Sequence, residues 1–530
     1  MDDHTELKDL RTRTVIESSS SRSSYNYDAA LLARLGKRPL LNRSFAFMSI
    51  LGFSCSALFS WESVLITSLP TLSIAGPSAV FWGFLINWVG MFSVYAVLAE
   101  LSSIAPTTGG QYHWVFLLAP KSHASFLSYL TGWLTAIAWQ AITTSVSFAT
   151  ATLLQGVVAL ALPSYIPLPW HTVLIMWAAS LFSVIMNSIT SKTLAKFEGL
   201  ILILHLFGFF GVLVPMVYYA DHNPPSAVFT TFFDEGGWNS NSVAFFIGLP
   251  TMASALIGAD CAVHMSEEIQ DAAIIVPRAL MWTTLINGSL ALSMITALLF
   301  SIGDLESALE ATETLFYPFL YVFREAVGNT TGACLLGGIT LVLSISACVG
   351  IYASASRMIW SFARDKGLPL HRQLVKLTSA SLPVNAIVLT FIINVLLSLI
   401  VLGSAIVLQA FVSLVNAALY TSYIIVCGLF MWRRATGSIK PYMPGSETLR
   451  DDTLIWGPWR VPEPLGTCNN IFACVYLLLI WFWSFWPPVH NPSPDLFNWS
   501  IVVFGVAVSF SVIWYVVRAK HYFKGPIREV

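Results

Sequence analysis

The chain has little charge, and it contains none of the motifs that mark the common enzyme classes. Only 10% of its 530 residues are charged, against about 25% in an average soluble protein. Its seven cysteines form no C-x-x-C pair and no zinc spacing, so we interpret them as small core residues. It has no Walker lysine loop, His-Glu-x-x-His or Gly-x-Ser-x-Gly, so we expect no enzyme activity, metal or cofactor. A net charge of −1 argues against nucleic acid as a partner.

Long apolar stretches dominate the remainder of the chain. Hydrophobic residues make up 56% of it and the mean hydropathy is +0.71. From residue 45 onward we count twelve apolar segments, each of about the length that crosses a bilayer. They are numbered segments 1 to 12 and cover 45–69, 78–104, 124–161, 171–190, 197–220, 243–263, 277–302, 332–362, 383–403, 405–431, 471–487 and 499–517. The expected fold class is therefore an all-α polytopic membrane protein, with the lipid bilayer as its surroundings.

The distribution of Lys and Arg gives the segments an orientation. With the N-terminus inside, every Lys and Arg except Arg324 falls on the cytoplasmic side, as the positive-inside rule requires. Both termini are then cytoplasmic. The expected organisation is a disordered Ser-rich tail over 1–44, a core of segments 1–10 over 45–431, a cytoplasmic loop over 432–470, segments 11 and 12 over 471–517, and a cytoplasmic tail over 518–530.

Two segments carry polar or helix-breaking residues where lipid has no hydrogen-bond partner to offer. These residues are Ser56, Ser60 and Glu62 in segment 1, and Pro250, Gly258 and Asp260 in segment 6. The two segments are five apart, which is the spacing expected for a pair of discontinuous helices in an inverted-repeat transporter. Close packing of helices through small and hydroxyl residues is the simpler interpretation.

Glu62 and Asp260 are the acids that we place well inside segments, because Glu100 and Glu198 fall near predicted cytoplasmic ends. A buried ionisable residue in a membrane is costly and indicates function by default. Three interpretations stay open for each acid: recognition of a cationic amine, proton coupling, or a protonated structural carboxyl. We interpret His205 in segment 5 as a packed residue in preference to a proton carrier.

Three blocks of sequence resemble a known family. The run 106–114, Pro-Thr-Thr-Gly-Gly-Gln-Tyr-His-Trp, resembles the signature between helices 2 and 3 of the amino acid-polyamine-organocation superfamily. Its ending is similar to the fungal amino acid/choline transporters, which include choline and GABA permeases. The runs 264–279 and 356–369 are similar to the family's link between helices 6 and 7 and to its cytoplasmic end of helix 8. Together with Trp61-Glu62, these blocks follow the family order from about residue 45 to 430.

The resemblance implies a five-plus-five inverted repeat with discontinuous helices 1 and 6, followed by helices 11 and 12. On helix 6, residues 257–260 fall on the family's Gly-aromatic-acid pattern, with Ala259 in the aromatic position. On helix 1, the nearest equivalent of the superfamily's Gly-Ser-Gly-like turn is residues 57–61, which lack the glycines. The substrate-binding candidates are Ser56, Ala57, Ser60, Trp61, Glu62, Ser254, Ile257, Gly258 and Asp260.

A second group of candidates concerns coupling and gating. It contains Glu62, Asp260, Glu267, Glu268, Arg278, Arg357 and Arg364. Those near the cytoplasmic ends are either solvated charges or an inside salt-bridge latch. The resemblance implies a secondary active transporter that imports a small amino acid or amine such as GABA by proton symport, in the plasma membrane or alternatively the vacuolar membrane. The alternatives are transport of choline, another quaternary amine or a polyamine, and a nutrient sensor that does not transport.

Overall fold

The computed structural model describes residues 27–403, 407–443, 454–494 and 496–530, with side chains described outside 407–413. This part of the chain is helical and contains no β-strand, only the isolated bridges Phe45 with Ile269 and Lys440 with Ile455. Eleven helical stretches of the described residues are long and apolar enough to cross a membrane, with the interrupted stretch Phe47–Ala75 counted as one. The expected all-α polytopic fold class is confirmed.

Ten segments each contain one long helix close to the bounds predicted from hydropathy. In order, these are Pro77–Ile104 (segment 2), Ala124–Ala161 (3), Pro169–Ile189 (4), Ser191–Tyr219 (5), Ala272–Ser301 (7), Thr330–Arg364 (8), Val384–Ser398 (9), Val407–Ala435 (10), Leu465–Trp483 (11) and Ser500–Val517 (12). Segment 9 continues as a 3₁₀ turn. The short helices between segments include Gln111–Leu118, Pro225–Phe229, Leu305–Glu310, Thr312–Leu315, Pro318–Val327 and His371–Leu374.

Segments 1 and 6 are interrupted. Segment 1 consists of the helices Phe47–Leu58, Ser60–Thr67 and Leu69–Ala75. Segment 6 consists of Asn241–Ser254 and Cys261–His264, separated by non-helical residues. Because its longer helix has only 14 residues, no helix of segment 6 is long enough to cross a bilayer alone.

Segment 1 is the most enclosed of the long elements. Its most apolar window is 89% buried, compared with 33% for segments 4, 9 and 11 and 11% for segment 12. It packs against segments 5, 7 and 8, while segment 3 packs against segments 8 and 10. The polar residues of segment 1 are thereby placed at the centre of the bundle, and the peripheral helices expose their apolar faces.

Residues 27–44 differ from the disordered tail that we expected, because residues 27–34 form a helix that docks on the bundle. The Asp28 carboxylate accepts hydrogen bonds from the N–H groups of Asp271 and Ala272, at 2.9 and 3.2 Å. It therefore caps the start of segment 7, where four N–H groups lack partners within the helix. The Ser-rich run of the expected tail lies outside the described residues.

The described part of the loop after segment 10 is also fixed to the bundle. Arg434 pairs with Glu100 at 2.6 Å and with Glu463 at 2.8 Å. The N–H of Val461 donates to the Glu100 carboxylate at 3.0 Å, and the N–H of Trp459 donates to the Ser103 hydroxyl at 3.0 Å. Glu100 thus joins this loop to segment 2.

Candidate functional site

Segment 1 breaks at Phe59, which adopts the left-handed conformation with φ 50° and ψ 43°. This conformation costs a non-glycine residue roughly 1–2 kcal/mol, and strain of this kind concentrates at functional sites. The helix before the break ends with the Phe59 N–H bonded to the Cys55 carbonyl at 3.1 Å. In the helix that follows, three N–H groups have no backbone carbonyl partner within the described chain: those of Ser60, Trp61 and Glu62. They form the positive end of a helix dipole.

Segment 6 loses its helical structure over residues 255–260. Gly258 has φ +116°, a conformation that residues with a Cβ rarely adopt. The Tyr95 hydroxyl of segment 2 sits in this break, donating to the Leu256 carbonyl at 2.8 Å and accepting from the Gly258 N–H at 3.2 Å. Since buried backbone groups need partners, Tyr95 holds the break in place. The sequence patterns gave no signal for this tyrosine.

A cavity of about 670 Å³ lies between the two breaks, a volume typical of small-molecule sites. Four of the nine substrate-binding candidates line it: Ala57, Ser254, Ile257 and Gly258. Within the described residues, no charged side chain lines the cavity, whereas seven aromatic rings do: Phe59, Trp139, Tyr317, Trp483, Trp486, Phe497 and Trp499. The cavity reaches the surface at Leu496 and Trp499, which are exposed.

Asp260 lies behind the cavity wall. Its carboxylate accepts a hydrogen bond from the Gln111 amide at 2.6 Å, and the Nε2 atom of His264 lies 3.9 Å from it. The ring of Trp139, which lines the cavity, meets the His264 ring edge to face, with centroids 5.3 Å apart. All of these groups are buried or nearly so. Asp260 therefore belongs to a polar layer beneath the aromatic wall.

The family signature of residues 106–114 packs directly on the second half of segment 6. Gln111 holds Asp260, and the Thr108 carbonyl lies 3.0 Å from Nδ1 of His264, so that nitrogen carries a proton. A Cβ on Gly110, at φ +52°, would meet Val263 at 2.9 Å. Gly110 therefore permits this close approach, and Gln111 contacts the acid that the sequence singled out.

Trp61 and Glu62 face segment 5, and neither side chain lines the cavity. His205 Nδ1 and Glu62 Oε1 are 2.8 Å apart, and the Trp61 indole N–H donates to the His205 carbonyl at 3.3 Å. The Trp61 ring contacts the rings of His205 and Phe209, each with a centroid distance of 6.0 Å. Ser60 is buried, and its hydroxyl has no hydrogen-bond partner among the described residues.

The remaining candidate in segment 1, Ser56, donates a short hydrogen bond to Glu198. Hydropathy placed Glu198 near the cytoplasmic end of segment 5, but the structure buries it fully between segments 1 and 8. Segment 5 begins at Ser191, earlier than predicted, which moves Glu198 from the end of the helix into its second turn. Its second carboxylate oxygen has no hydrogen-bond partner in the described structure.

The end of the bundle opposite the cavity mouth is closed by charged residues, and we call it the closed pole. Arg357 pairs with Glu268 at 2.9 Å, and Arg364 pairs with Glu267 at 2.8 Å. Both pairs are buried, in contrast to the solvated charges that we considered as one interpretation. Removing one partner of such a pair typically costs about 3–5 kcal/mol. Arg278 is exposed and makes no ion pair with a described residue.

Both ends of the described chain reinforce the closed pole. Lys37 pairs with Asp365, which also accepts from the Tyr112 hydroxyl at 2.7 Å. Glu529 binds Arg364 at 2.5 Å. Burial opposes ionisation of Glu529, but the hydrogen bond and charge of Arg364 outweigh it and lower the pKa of that carboxyl below its usual range. The same cluster keeps His113 neutral, since burial and the positive charges of Lys37 and Arg364 lower its pKa to about 3.

A helical membrane protein with two broken central helices, a cavity between them and a closed opposite end has the organisation of a transporter. A sequence model of the family described as "Amino acid permease" matches residues 45–507. The chain belongs to the amino acid permease family, and the resemblance found in its sequence blocks is confirmed.

The relatives of this chain include transporters. The chain is 29% identical to the choline transporter of Saccharomyces cerevisiae, over 91% of this chain and 83% of the relative. It is 27% identical to the amino-acid permease BAT1 homolog of Oryza sativa subsp. japonica, over 94% and 96%. It is 24% identical to amino-acid permease 2 of Neurospora crassa, over 96% and 91%. The protein is thus a membrane permease of the amino acid or choline type.

Proposed function

We propose that this chain is a secondary active transporter that imports a small amino acid such as GABA by proton symport. The observation that carries this is the uncharged cavity between two helix breaks, open at one end and closed at the other by buried ion pairs. A zwitterion suits such a site because backbone groups at the breaks supply partial charges of both signs without a fixed side-chain charge.

In this proposal the substrate carboxylate binds at the free N–H groups of residues 60–62, next to Phe59 in the cavity wall. Each charge-assisted hydrogen bond there contributes about 1.5–3 kcal/mol. The substrate amine faces the carbonyl end of the helix Phe47–Leu58 and the wall formed by Trp139. The side chains of Ser60, Trp61, Glu62 and Asp260 act from behind this wall.

The direction of transport follows from the orientation predicted from Lys and Arg. With the closed pole in the cytoplasm, the cavity faces the outside, and we expect import across the plasma membrane. Segment 6 counts as a twelfth crossing, and its break, five segments after that of segment 1, is consistent with the five-plus-five inverted repeat. Opening of the closed pole is then the step that releases substrate inside.

Choline is the second candidate substrate, because a quaternary amine needs aromatic faces more than hydrogen-bond donors. Trp139, Phe59 and Tyr317 offer such faces in the cavity, and one relative is named a choline transporter. Substitution of Trp139 by Leu separates the two substrates, because it removes a cation–π partner and leaves the N–H groups of residues 60–62 in place.

The test is radiolabelled uptake into a transport-deficient yeast that expresses the chain. GABA, a panel of neutral amino acids and choline are compared at two external pH values, with Trp139→Leu and Asp260→Asn alongside. The proposal expects saturable GABA uptake that rises in acid, is retained at least in part by Trp139→Leu and is lost in Asp260→Asn. Choline uptake without GABA uptake favours the second candidate. No uptake with the protein confirmed at the cell surface favours a sensor.

A further inference from the structure

A buried ionisable pair, Glu62 and His205, lies directly behind the break in segment 1, and the uncharged cavity does not account for it. Glu62 is 0% exposed and His205 1%. Their facing atoms, Oε1 and Nδ1, are 2.8 Å apart, and the outer atoms, Oε2 and Nε2, have no hydrogen-bond partner among the described residues. A half-satisfied buried pair is expensive to maintain, which indicates a role beyond packing.

The chemistry of this pair makes it a carrier of one proton. With one proton shared between Glu62 and His205, the pair has no net charge, whichever of the two holds it. Loss of that proton leaves a carboxylate beside a neutral imidazole, with a net charge of −1. Because the two groups are in contact at 2.8 Å, that charge belongs to the pair and not to either residue alone.

The position of the pair links that charge to substrate binding. Glu62 lies in the first turn of the helix Ser60–Thr67, and its own N–H is one of the three without a backbone carbonyl partner in the described chain, which the proposed function assigns to the substrate carboxylate. A negative charge within the first turn opposes a second negative charge bound at the same helix end. At roughly 6–8 Å and an effective dielectric of about 20, this repulsion weakens binding about 30- to 100-fold.

No other described cation neutralises Glu62. The further ionisable groups on the elements packed against the pair are Cys55, His171, Lys192, Lys196, Glu198, Tyr218, Tyr219, Arg278, Tyr321, Arg324, Glu325, Cys334, Cys348, Tyr352, Arg357 and Arg364. Arg357 and Arg364 are engaged at the closed pole, and the other Lys and Arg residues among them are exposed. The nearest other carboxyl, Glu198, lies two helical turns before His205 and is bonded to Ser56. The charge of the pair is therefore set by its own proton.

We propose that Glu62 and His205 form the proton site that couples transport to the proton gradient, acting through the helix end that holds the substrate carboxylate. The inference rests on the proposed function and adds a mechanism to it. On the acidic side the pair takes up its proton, the negative charge disappears and a carboxylate substrate binds. On the cytoplasmic side the proton leaves, and the restored charge weakens substrate binding and favours release.

The test uses purified full-length chain in liposomes, with two assays on each variant. Counterflow of labelled GABA at equal pH requires binding and alternation but no net proton movement. Accumulation driven by a pH gradient requires coupling as well. Glu62→Gln mimics the neutral pair, so we expect it to retain counterflow, to lose accumulation above equilibrium and to bind GABA with an affinity that no longer changes with pH.

Two further variants keep the test decisive where Glu62→Gln folds poorly. His205→Gln removes the imidazole that faces the Glu62 carboxyl, so the pH dependence of GABA binding should change while counterflow remains. Glu198→Gln is the matched control, because Glu198 is a buried carboxyl on segment 5, the segment that carries His205. We expect this variant to retain gradient-driven accumulation. The inference is overturned if Glu62→Gln still accumulates GABA, or if Glu198→Gln alone abolishes accumulation.

The two proposals fail in different ways. Absence of GABA counterflow in the unmodified chain rejects the proposed function, and with it the coupling. Counterflow without gradient-driven accumulation in the unmodified chain rejects proton symport, whereas accumulation that Glu62→Gln retains rejects only the role of this pair. If choline is the substrate, the deprotonated pair attracts the cation, so choline binding should strengthen as pH rises, and Glu62→Gln should remove that dependence.

Discussion

Among the described side chains, the Tyr95 hydroxyl is the one that bonds both the Leu256 carbonyl and the Gly258 N–H within the break in segment 6. Tyr95→Phe should leave the Leu256 carbonyl and the Gly258 N–H unpaired and destabilise the protein by about 1–3 kcal/mol. The expected results are a lower thermal transition in detergent and reduced uptake. Tyr420→Phe is the matched control, because the Tyr420 hydroxyl is buried without a hydrogen-bond partner among described residues. Equal losses in the two variants would contradict the assigned role.

Gly258 offers a test of backbone conformation that is free of steric clash. A Cβ at this position would meet no atom within 4 Å, but its φ of +116° is unfavourable for any residue with a side chain. Gly258→Ala should therefore destabilise the protein by about 1–3 kcal/mol through backbone strain and reduce uptake. Gly428→Ala, equally open but in the helix of segment 10, should be neutral or slightly stabilising. Thermal unfolding of the two variants makes the comparison, and a stable Gly258→Ala protein would contradict it.

At the level of single residues, the sequence identified the polar positions but not the direction in which each side chain points. Ala57 and Gly258 line the cavity, whereas Trp61 and Glu62 turn toward segment 5. The rotation of a helix after a break depends on the dihedral angles of the break residue, here Phe59, and no hydropathy pattern encodes them. Contact of any candidate with substrate stays a prediction for the uptake experiments.

At the level of elements, helix positions were predictable because lipid requires long apolar runs with internally paired backbones. The break in segment 1 was harder to place, since Phe59 provides a turn that glycine usually provides. The helix of residues 27–34 was missed for a different reason. Its stability comes from docking on segment 7 through Asp28, and such tertiary contacts leave little trace in local composition.

The docking of that helix should depend on pH. Burial raises the pKa of Asp28 to about 6, against the ordinary 3.8, although the charge of Arg43 opposes the effect. A raised acid pKa means that the folded protein binds the proton more tightly, so stability is highest below about pH 4 and falls as pH rises toward 6. The difference corresponds to at most about 3 kcal/mol.

Asp28→Asn removes this titration and keeps an acceptor oxygen for the start of segment 7. We expect the difference in melting temperature between the parent and Asp28→Asn to change between about pH 4 and 6 and to be constant above that range. Thermal melts of both proteins in the same buffers measure it. A difference that is independent of pH would show that Asp28 does not titrate in this window.

At the scale of the whole molecule, the two ends of the bundle differ in chemistry, one being apolar and the other charged. The cavity mouth is lined by exposed apolar rings. The closed pole is held by buried ion pairs and by the partly buried Glu529, with residues from both ends of the described chain. Charge pairs suit a gate because they can exchange partners for water, whereas a packed apolar core resists opening. The sequence identified Glu267, Glu268, Arg357 and Arg364 for this end but gave no signal for Lys37 or Glu529.

Substitution of Glu529 tests whether the C-terminal residues help to hold the closed pole shut. Its carboxylate binds Arg364 and accepts from the Arg38 N–H at 2.9 Å, and its own N–H donates to the Gly36 carbonyl at 2.7 Å. Glu529→Gln removes the charge while keeping the shape. Loss of about 1–3 kcal/mol should raise hydrogen exchange of the Arg38 amide about tenfold or more and favour the state that is open at this pole.

The matched control is Glu325→Gln, because Glu325 pairs with Arg324 on an exposed surface with side chains 56% and 44% accessible. An exposed pair contributes about 0–1 kcal/mol, so exchange at Arg38 should stay unchanged. Acid should have the same effect on the parent protein as Glu529→Gln. Because the pKa of Glu529 is lowered in the folded state, the pair with Arg364 stabilises the fold at neutral pH, and this stabilisation is lost as pH falls through that pKa. A protection factor of the Arg38 amide, measured against its intrinsic exchange rate at the same pH, that neither Glu529→Gln nor acid lowers would place the gate in the inner pairs of Arg357 and Arg364 alone.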